Sequence, residues 1–548
     1  MTGNPTAAGP AAGQPPPSNT HWLSAATRHM CAGAYLDENF ARTSVEEVYQ
    51  QPQRAVAPSF GFDLGPVLMH CRRAYRIALI RDGVIAGALL LLACTSGIGL
   101  ILGLALLAGW HTVVAFYRMI TDTLRRIMAG ERIAFGALVR QLLTSAVGLF
   151  VLFIGLGVAI PALGLMSASA AFGSSASVDA SLSALLGSAL LTMIVVFVTP
   201  AATSLTQWSH AVRHSPGRQP EPLAPDHRIE EIQNQQRGNT SVYSGYSPFI
   251  GSGTPIGVEG FALRMIRSQN GLADQSDEGA REFQELPFSN GELVAYVGSG
   301  LAELATAHDP ARRIPGLTVA DRLFVAGNEA LWSEVWSDAA TISQVLVNPT
   351  DSCRHYLECQ VTSWNGELIT SVYVHFLLAG RTLYLEIATN ALTPCQDLYR
   401  TVDDLRSQGA WPYLRAAWWG LASAASTVAS APINLVRAAL VAMTRQGSRA
   451  ASARLPRGFD YGAQTSVREL ASPGLLRNDF QTQDVVKFKN ILTRRVVAST
   501  LDFLVAKGVD VTEFRQRANV LINEGVIVGG NVGKNAFKDS QINSKKQD

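Results

Sequence analysis

The chain has 548 residues, 47% of them hydrophobic and 16% charged, with a formal net charge of +2. That length has room for a membrane domain and one or two soluble domains. The near balance of charge excludes a global field that would draw nucleic acid or an acidic substrate.

Residues 1–20 (MTGNPTAAGPAAGQPPPSNT) hold almost nothing that could be buried and are expected to be disordered. No basic start followed by an apolar core opens the chain, so insertion is expected to rest on internal spans. Residues 21–82 read as a helical segment ending in a basic amphipathic juxtamembrane part. There Leu64, Leu68 and Ile77 mix with Arg72, Arg73, Arg76 and Arg81.

Residues 83–212 form the membrane domain. They hold three long runs free of Asp, Glu, Lys and Arg: Gly83–Tyr117, Gln141–Val178 and Ala180–Val212. Arg72, Arg73, Arg76 and Arg81 precede the first run, and Arg118, Arg125, Arg126, Arg132 and Arg140 separate it from the second. Only Asp179 lies between the second and third. The positive-inside rule puts the Arg-rich loops in the cytoplasm. With both its flanks cytoplasmic, Gly83–Tyr117 is expected to cross twice as a short hairpin turning near Cys94-Thr95-Ser96-Gly97. Two further spans, roughly Leu142–Leu163 and Leu185–Leu205, make four. The alternative is one long tilted helix and three spans. Gly83, Gly87, Gly99 and Gly103 have the small-xxx-small spacing that lets helices pack closely.

Residues 213–239 form a polar linker, with three prolines in Gln219–Asn239. An α+β domain is expected over 240–410, on the cytoplasmic side. Ser289–Ala307 has helical spacing, and Thr318–Gly327 is either helical or extended. Tyr356–Ser363, Glu367–Leu378 and Thr382–Ala388 read as three antiparallel strands, with Asn365-Gly366 as the first turn. Residues 411–446 are apolar and free of acids, with Trp411, Trp418 and Trp419 at one end. They read either as an interfacial segment returning to the membrane or as a buried helical pair broken at Pro432. A linker (447–480), a helical hairpin (481–524) stopped at Gly508 and Gly525, and a flexible tail (525–548) complete the chain.

RAVAPSFGFDL at Arg54–Leu64, VYSGYSPFIGSG at Val242–Gly253, IPGLTVADRLFVAG at Ile314–Gly327 and FDYGAQTSVREL at Phe459–Leu470 carry a resemblance. The chain resembles multi-pass membrane proteins of actinobacteria. The resemblance implies a bacterial cell membrane and no particular activity.

The chemistry-bearing motifs are few. The glycines of Phe249–Gly257 lack the spacing and the Lys of a phosphate loop, so a tight turn is expected. The six cysteines form no CxxC pair, and no metal or cofactor is expected. Cys359 and His375 approach across the predicted hairpin as a conceivable nucleophile and base, without a third partner. The basic loop lacks the aromatic interleaving of a nucleic-acid platform and points to lipid headgroups instead. The favoured expectation is a membrane-anchored scaffold that meets a protein partner or its own copies. The alternatives are an oligomeric transporter or channel, and a membrane-bound enzyme.

Overall fold

The structure is a computed structural model. It describes residues 24–95, 97–128, scattered positions between 143 and 161, 175–216, 218, 223–268, 281–329, 337–348, 352–404, 409–451 and 459–527. The described residues fall into two compact units. One takes its residues from 24–71, 223–400 and 459–527, the other from 72–218 and 401–449.

The second unit is helical. α3 (Leu64–Thr95) and α4 (Gly97–Met128) have 32 residues each and are separated by Ser96 alone. The hairpin therefore turns where the sequence placed it. Its arms are longer than expected, because the basic segment from Asp63 onward is the first half of α3 and not a separate surface helix. Nothing between Pro66 and Thr95 interrupts the backbone hydrogen bonds, and Gly83 and Gly87 cost a helix only about 1 kcal/mol each. α5 (Ser175–Val212) carries Pro200 inside it. The expected span Leu142–Leu163 lies largely outside the described residues. Its described positions are helical, and Leu143, Val147, Phe150 and Phe153 point outward.

Residues 411–446 are not a broken pair. α10 (Ala410–Ala451) is one helix of 42 residues that runs through Pro432. Proline removes one backbone bond without ending a helix whose neighbours hold it in place. Val428 and Ala431 share a core with Ile85 of α3, Leu107 of α4 and Val196 of α5. Four described helices are thus long and apolar enough to cross a membrane: Leu64–Thr95, Gly99–Arg125, Leu190–Val212 and Ala410–Met443.

The first unit is built on a six-stranded mixed sheet. β1 (Thr240–Tyr243), β2 (Thr254–Arg264), β3 (Leu317–Ala326), β4 (Cys353–Ser363), β5 (Leu368–Ala379) and β6 (Thr382–Leu392) lie in the order β1-β3-β4-β5-β6-β2. The β3 to β6 meander and β2 are antiparallel, and β1 joins β3 in parallel. The three expected strands are there, and the ambiguous 318–327 is extended. Asn365 and Gly366 turn the first hairpin at φ 56° and 86°. β2 had no alternation by which to foresee it.

Alternation divides the two faces. Leu357, Cys359, Val361, Val372, Val374, Leu385 and Ile387 form an apolar core with α7 (Asn290–Thr306), α12 (Asp479–Ala506) and α13 (Thr512–Ile527). α7 starts on a Ser289 cap and α12 on an Asn478 cap. The opposite face is polar and aromatic. The expected linker 447–480 is part of this unit from Phe459 onward, through α11 (Val467–Leu470) and the segments around it.

Candidate functional site

The four stretches that carry the resemblance meet at one place in the α+β unit. The Ala55 N–H donates to the Tyr461 carbonyl at 2.7 Å, and Tyr461 N–H to Gly327 at 3.0 Å. Gly327 N–H donates to Tyr243 at 2.8 Å, and Ala463 N–H to Val242 at 2.9 Å. Segments hundreds of residues apart are thereby joined backbone to backbone.

A polar network runs from the sheet into these segments. On β3, Arg322 donates Nε–H to Glu358 Oε2 at 2.6 Å, and its Nη1 reaches the Gly238 carbonyl at 3.0 Å. Tyr373 on β5 donates its hydroxyl to Glu358 Oε1 at 3.0 Å. Its one proton is then spent, so the Ser252 hydroxyl at 2.6 Å donates to it. Burial first, and then the Glu358 charge, push the Tyr373 phenol far up, so it stays protonated. Phe249 stacks on Tyr373 with ring centroids 4.6 Å apart. The glycine-rich stretch is thus a tight turn, as its spacing predicts, and it plugs the polar face of the sheet.

Around Ser252, the Gly251 and Gly253 N–H groups both donate to Glu469 Oε1 at 2.9 Å. Both glycines have φ near +90°, which a side chain would oppose. Next to Glu469, Arg468 is 0% exposed, and its Nη2 donates to the carbonyls of Glu367 and Thr393 at 2.9 and 3.0 Å. The Glu367 side chain pairs with His29 of α1 (Ala25–Leu36) and accepts from Cys395 N–H at 2.8 Å. Burial alone would raise the Glu367 carboxyl. The His29 hydrogen bond, the His29 and Arg468 charges and the Cys395 N–H outweigh it and hold the carboxyl at about 2.

Glu469 goes the other way. Burial raises its carboxyl from 4.5 to about 7, against the pull of the two glycine N–H groups and Arg468. Its protonation therefore adds stability in full below about pH 4.5, and that stability is lost as pH rises through 7, because the unfolded chain gives up the proton first. Glu469→Gln keeps an acceptor for both N–H groups and carries no charge. In detergent melts, wild type is expected to lose roughly 2–3 kcal/mol relative to Glu469→Gln between pH 4.5 and 8. Parallel pH profiles for the two proteins would refute this placement of the titration.

The residues singled out from the sequence separate. Cys359 faces the apolar core and His375 the opposite face, so they form no catalytic pair. Burial pushes the Cys359 thiol well up, away from a nucleophilic thiolate. Burial also lowers the His375 pKa, and its Nδ1 donates to the His355 carbonyl at 2.7 Å. It lies 4.9 Å from the Tyr356 ring, whose hydroxyl donates to Glu386 at 3.1 Å.

In the helical unit, a Cβ at Gly83 or Gly87 would meet nothing within 4 Å among the described residues, so neither stands at a close helix contact with them. Gly99 is buried. A Cβ at Gly103 would lie 3.0 Å from Met193 of α5 and 3.7 Å from Leu92 of α3, so this glycine is at a packed crossing. Arg72, Arg73 and Arg76 lie on the first half of α3, Arg81 just past its middle, and Arg118, Arg125 and Arg126 on the second half of α4. All but Arg81 are toward the open end of the hairpin. Arg132 and Arg140 are outside the described residues. Arg81 is buried and donates to Asp82 at 2.8 Å, and Asn434 of α10 donates to the same carboxylate at 2.9 Å. The freedom from charge of the run from Gly83 therefore does not extend to the whole helix. A cavity of about 680 Å³ lies among these helices, lined by Leu89, Leu107, His111, Val428 and Pro432 among others.

The model of the AbeC-like domain matches residues 259–535, just over half of the chain. The chain belongs to the AbeC-like domain family. No curated protein and no solved structure matches it. The AbeC-like region opens inside β2 and runs through β3–β6, α7 and α10–α13. It includes Arg322, Glu358, Glu367, Arg468 and Glu469, and it includes α10. The α3–α5 block lies outside it.

Sequence reasoning did not single out the members of the polar network. One signal was present: Tyr356, Glu358 and Gln360 alternate with Leu357, Cys359 and Val361 on a strand buried on both faces. A polar row of that kind needs partners from elsewhere in the chain.

Proposed function

We propose that this protein is a membrane-anchored scaffold of the bacterial cell membrane, whose AbeC-like domain stands on the cytoplasmic side and binds a protein partner or a second copy. The observation that carries the reading is the use made of the polar network. Glu358, Glu367 and Glu469 are each spent on groups that hold the glycine-rich turn, α1 and α11 to the sheet. Such a network fixes a rigid recognition domain. The cytoplasmic side is supported by the arginines at the open end of the α3–α4 hairpin. The resemblance of the four joined stretches supports an actinobacterial source.

Crosslinking in native membranes followed by mass spectrometry is expected to recover a repeated partner or a homo-oligomer; monomer alone at every crosslinker length counts against a scaffold. Reporter fusions at Asp179 and after Arg218 are expected to report opposite sides, the second cytoplasmic.

The buried Arg81–Asp82–Asn434 clasp favours a second reading, an oligomeric transporter, since ionisable groups inside a helical bundle often mark a pathway. Flux into liposomes that disappears in Asp82→Asn would favour it over the scaffold.

A further inference from the structure

α10 has the length of a membrane span, and its most apolar 18 residues have a mean hydropathy of 1.3, yet the chain on its two sides belongs to one folded body. Before it come the strands of the sheet. After it come α11, whose Arg468 is bonded to the carbonyls of Glu367 and Thr393, and α12 and α13, whose Leu492 and Phe514 share a core with Leu357 and Val374. A bilayer cannot pass through a packed core. Both flanks of α10 therefore lie on the same side of the membrane, and a single crossing would separate them. The same argument applies to residues 72–220, which are also flanked on both sides by that body. The number of crossings there is even. Leu64–Thr95, Gly99–Arg125 and Leu190–Val212 supply three, and the Leu142–Leu163 run is where the sequence offers the fourth.

The contacts of α10 show how deep it goes. Distance along α3 and α4 can be counted from the turn between their ends at Thr95 and Gly97, at about 1.5 Å per residue. Val428 and Ala431 share a core with Ile85 and Leu107, about 16 Å from the turn. Toward one end of α10, the Leu421 carbonyl accepts from Trp110 Nε1 at 2.8 Å, about 21 Å from the turn. Farther along, the Trp418 ring meets Tyr117 and Arg118 lies over Trp419, about 32 Å from the turn. Toward the other end, Asn434 binds Asp82, again about 21 Å from the turn. The middle of α10 is closest to the tip of the hairpin, and both directions lead back toward its Arg-rich open end.

The outer face of α10 shows Leu414, Trp419, Ile433, Val436, Leu440 and Met443. It continues the apolar flanks of α3, α4 and α5, where Leu90, Val113 and Ile194 also point outward. Residues 410–451 contain no acid, and Arg415, Arg437 and Arg445 stand among them. An apolar face with Trp and Arg suits the acyl chains and headgroups of a single leaflet.

We propose that α10 is a monotopic helix: it lies along one leaflet with its middle packed across α3, α4 and α5, its outer face in the lipid, and both of its ends on the same side of the membrane. The inference stands apart from any partner of the domain and from which side is cytoplasmic.

Single cysteines at Gly409, Ile433 and Ser448 test it in the full-length protein, with Cys94 and Cys353 replaced by serine. A membrane-impermeant maleimide is applied to sealed vesicles of each orientation. Gly409→Cys and Ser448→Cys are expected to react from the same face, and Ile433→Cys to react at least tenfold more slowly than both until detergent is added. Reaction of 409 and 448 from opposite faces overturns the proposal, as does reaction of 433 as fast as its neighbours. If 409 and 448 are shielded in both orientations, protease sites inserted at these two positions report the side, and cleavage from opposite faces is again fatal.

Discussion

Arg468→Met is expected to destabilise the α+β domain by about 3–5 kcal/mol, more than any other single change to its polar network. Arg468 is fully buried on α11, and its Nη2 joins the Glu367 carbonyl, just after the β4–β5 turn, to the Thr393 carbonyl, just after β6. Methionine fills much of the same volume but leaves both carbonyls without that donor. It also removes one of the two positive neighbours that hold the Glu367 carboxyl down, leaving His29 and the Cys395 N–H against the cost of burial. Arg468→Lys keeps the charge but not the rigid guanidinium that aims one Nη2 at both carbonyls, so an intermediate loss is expected. Chemical unfolding of the detergent-solubilised full-length protein, followed by near-ultraviolet circular dichroism, measures both. A methionine variant as stable as wild type would show that the network does not hold the domain together.

In the helical unit the largest expected effect is at Gly420. A Cβ there would stand 2.5 Å from the Pro200 carbonyl oxygen and 2.6 Å from Ala201 Cα. These are backbone atoms of α5, so no side chain can move aside. Gly420→Leu must push α10 away from α5. That opens the core shared by Val428, Ala431 and Val196 and strains the Trp110–Leu421 bond. Overpacking of this kind costs about 1–3 kcal/mol, and more where backbone cannot yield. Gly409→Leu and Gly83→Leu serve as controls, since a Cβ at either position meets nothing within 4 Å among the described residues. The expected order of thermal inactivation in detergent is Gly420→Leu far ahead, with both controls close to wild type. If Gly83→Leu proves as damaging as Gly420→Leu, the packing of α10 on α5 is wrong.

What was legible in the sequence was local. Whether a run such as Gly83–Tyr117 partitions into lipid depends on its own side chains, so its membrane character shows in the composition. The break between α3 and α4 followed from the length of that run and the arginines on its flanks. Asn365-Gly366 announced the β4–β5 hairpin because few other residues accept positive φ. The helices at 290–306 and 479–506 carried their caps and spacing with them.

The tertiary structure decided what depends on residues far apart in the chain. Composition made α10 an apolar segment with two readings. That the chain on both sides of it belongs to one folded body became readable once Arg468 was seen bonded to Thr393, 75 positions earlier. Arg81 and Asp82 looked like a juxtamembrane flank until Asn434 of α10 was placed against them. Glu367 and His29 are 338 positions apart and unremarkable separately. A buried charge is tolerated only with its partner, and for these residues the partner is supplied by the fold. The glycine-rich stretch shows both halves of the matter: its own spacing makes it a tight turn, but only the packing of Phe249 on Tyr373 and of Glu469 on its backbone makes it the piece that closes the sheet.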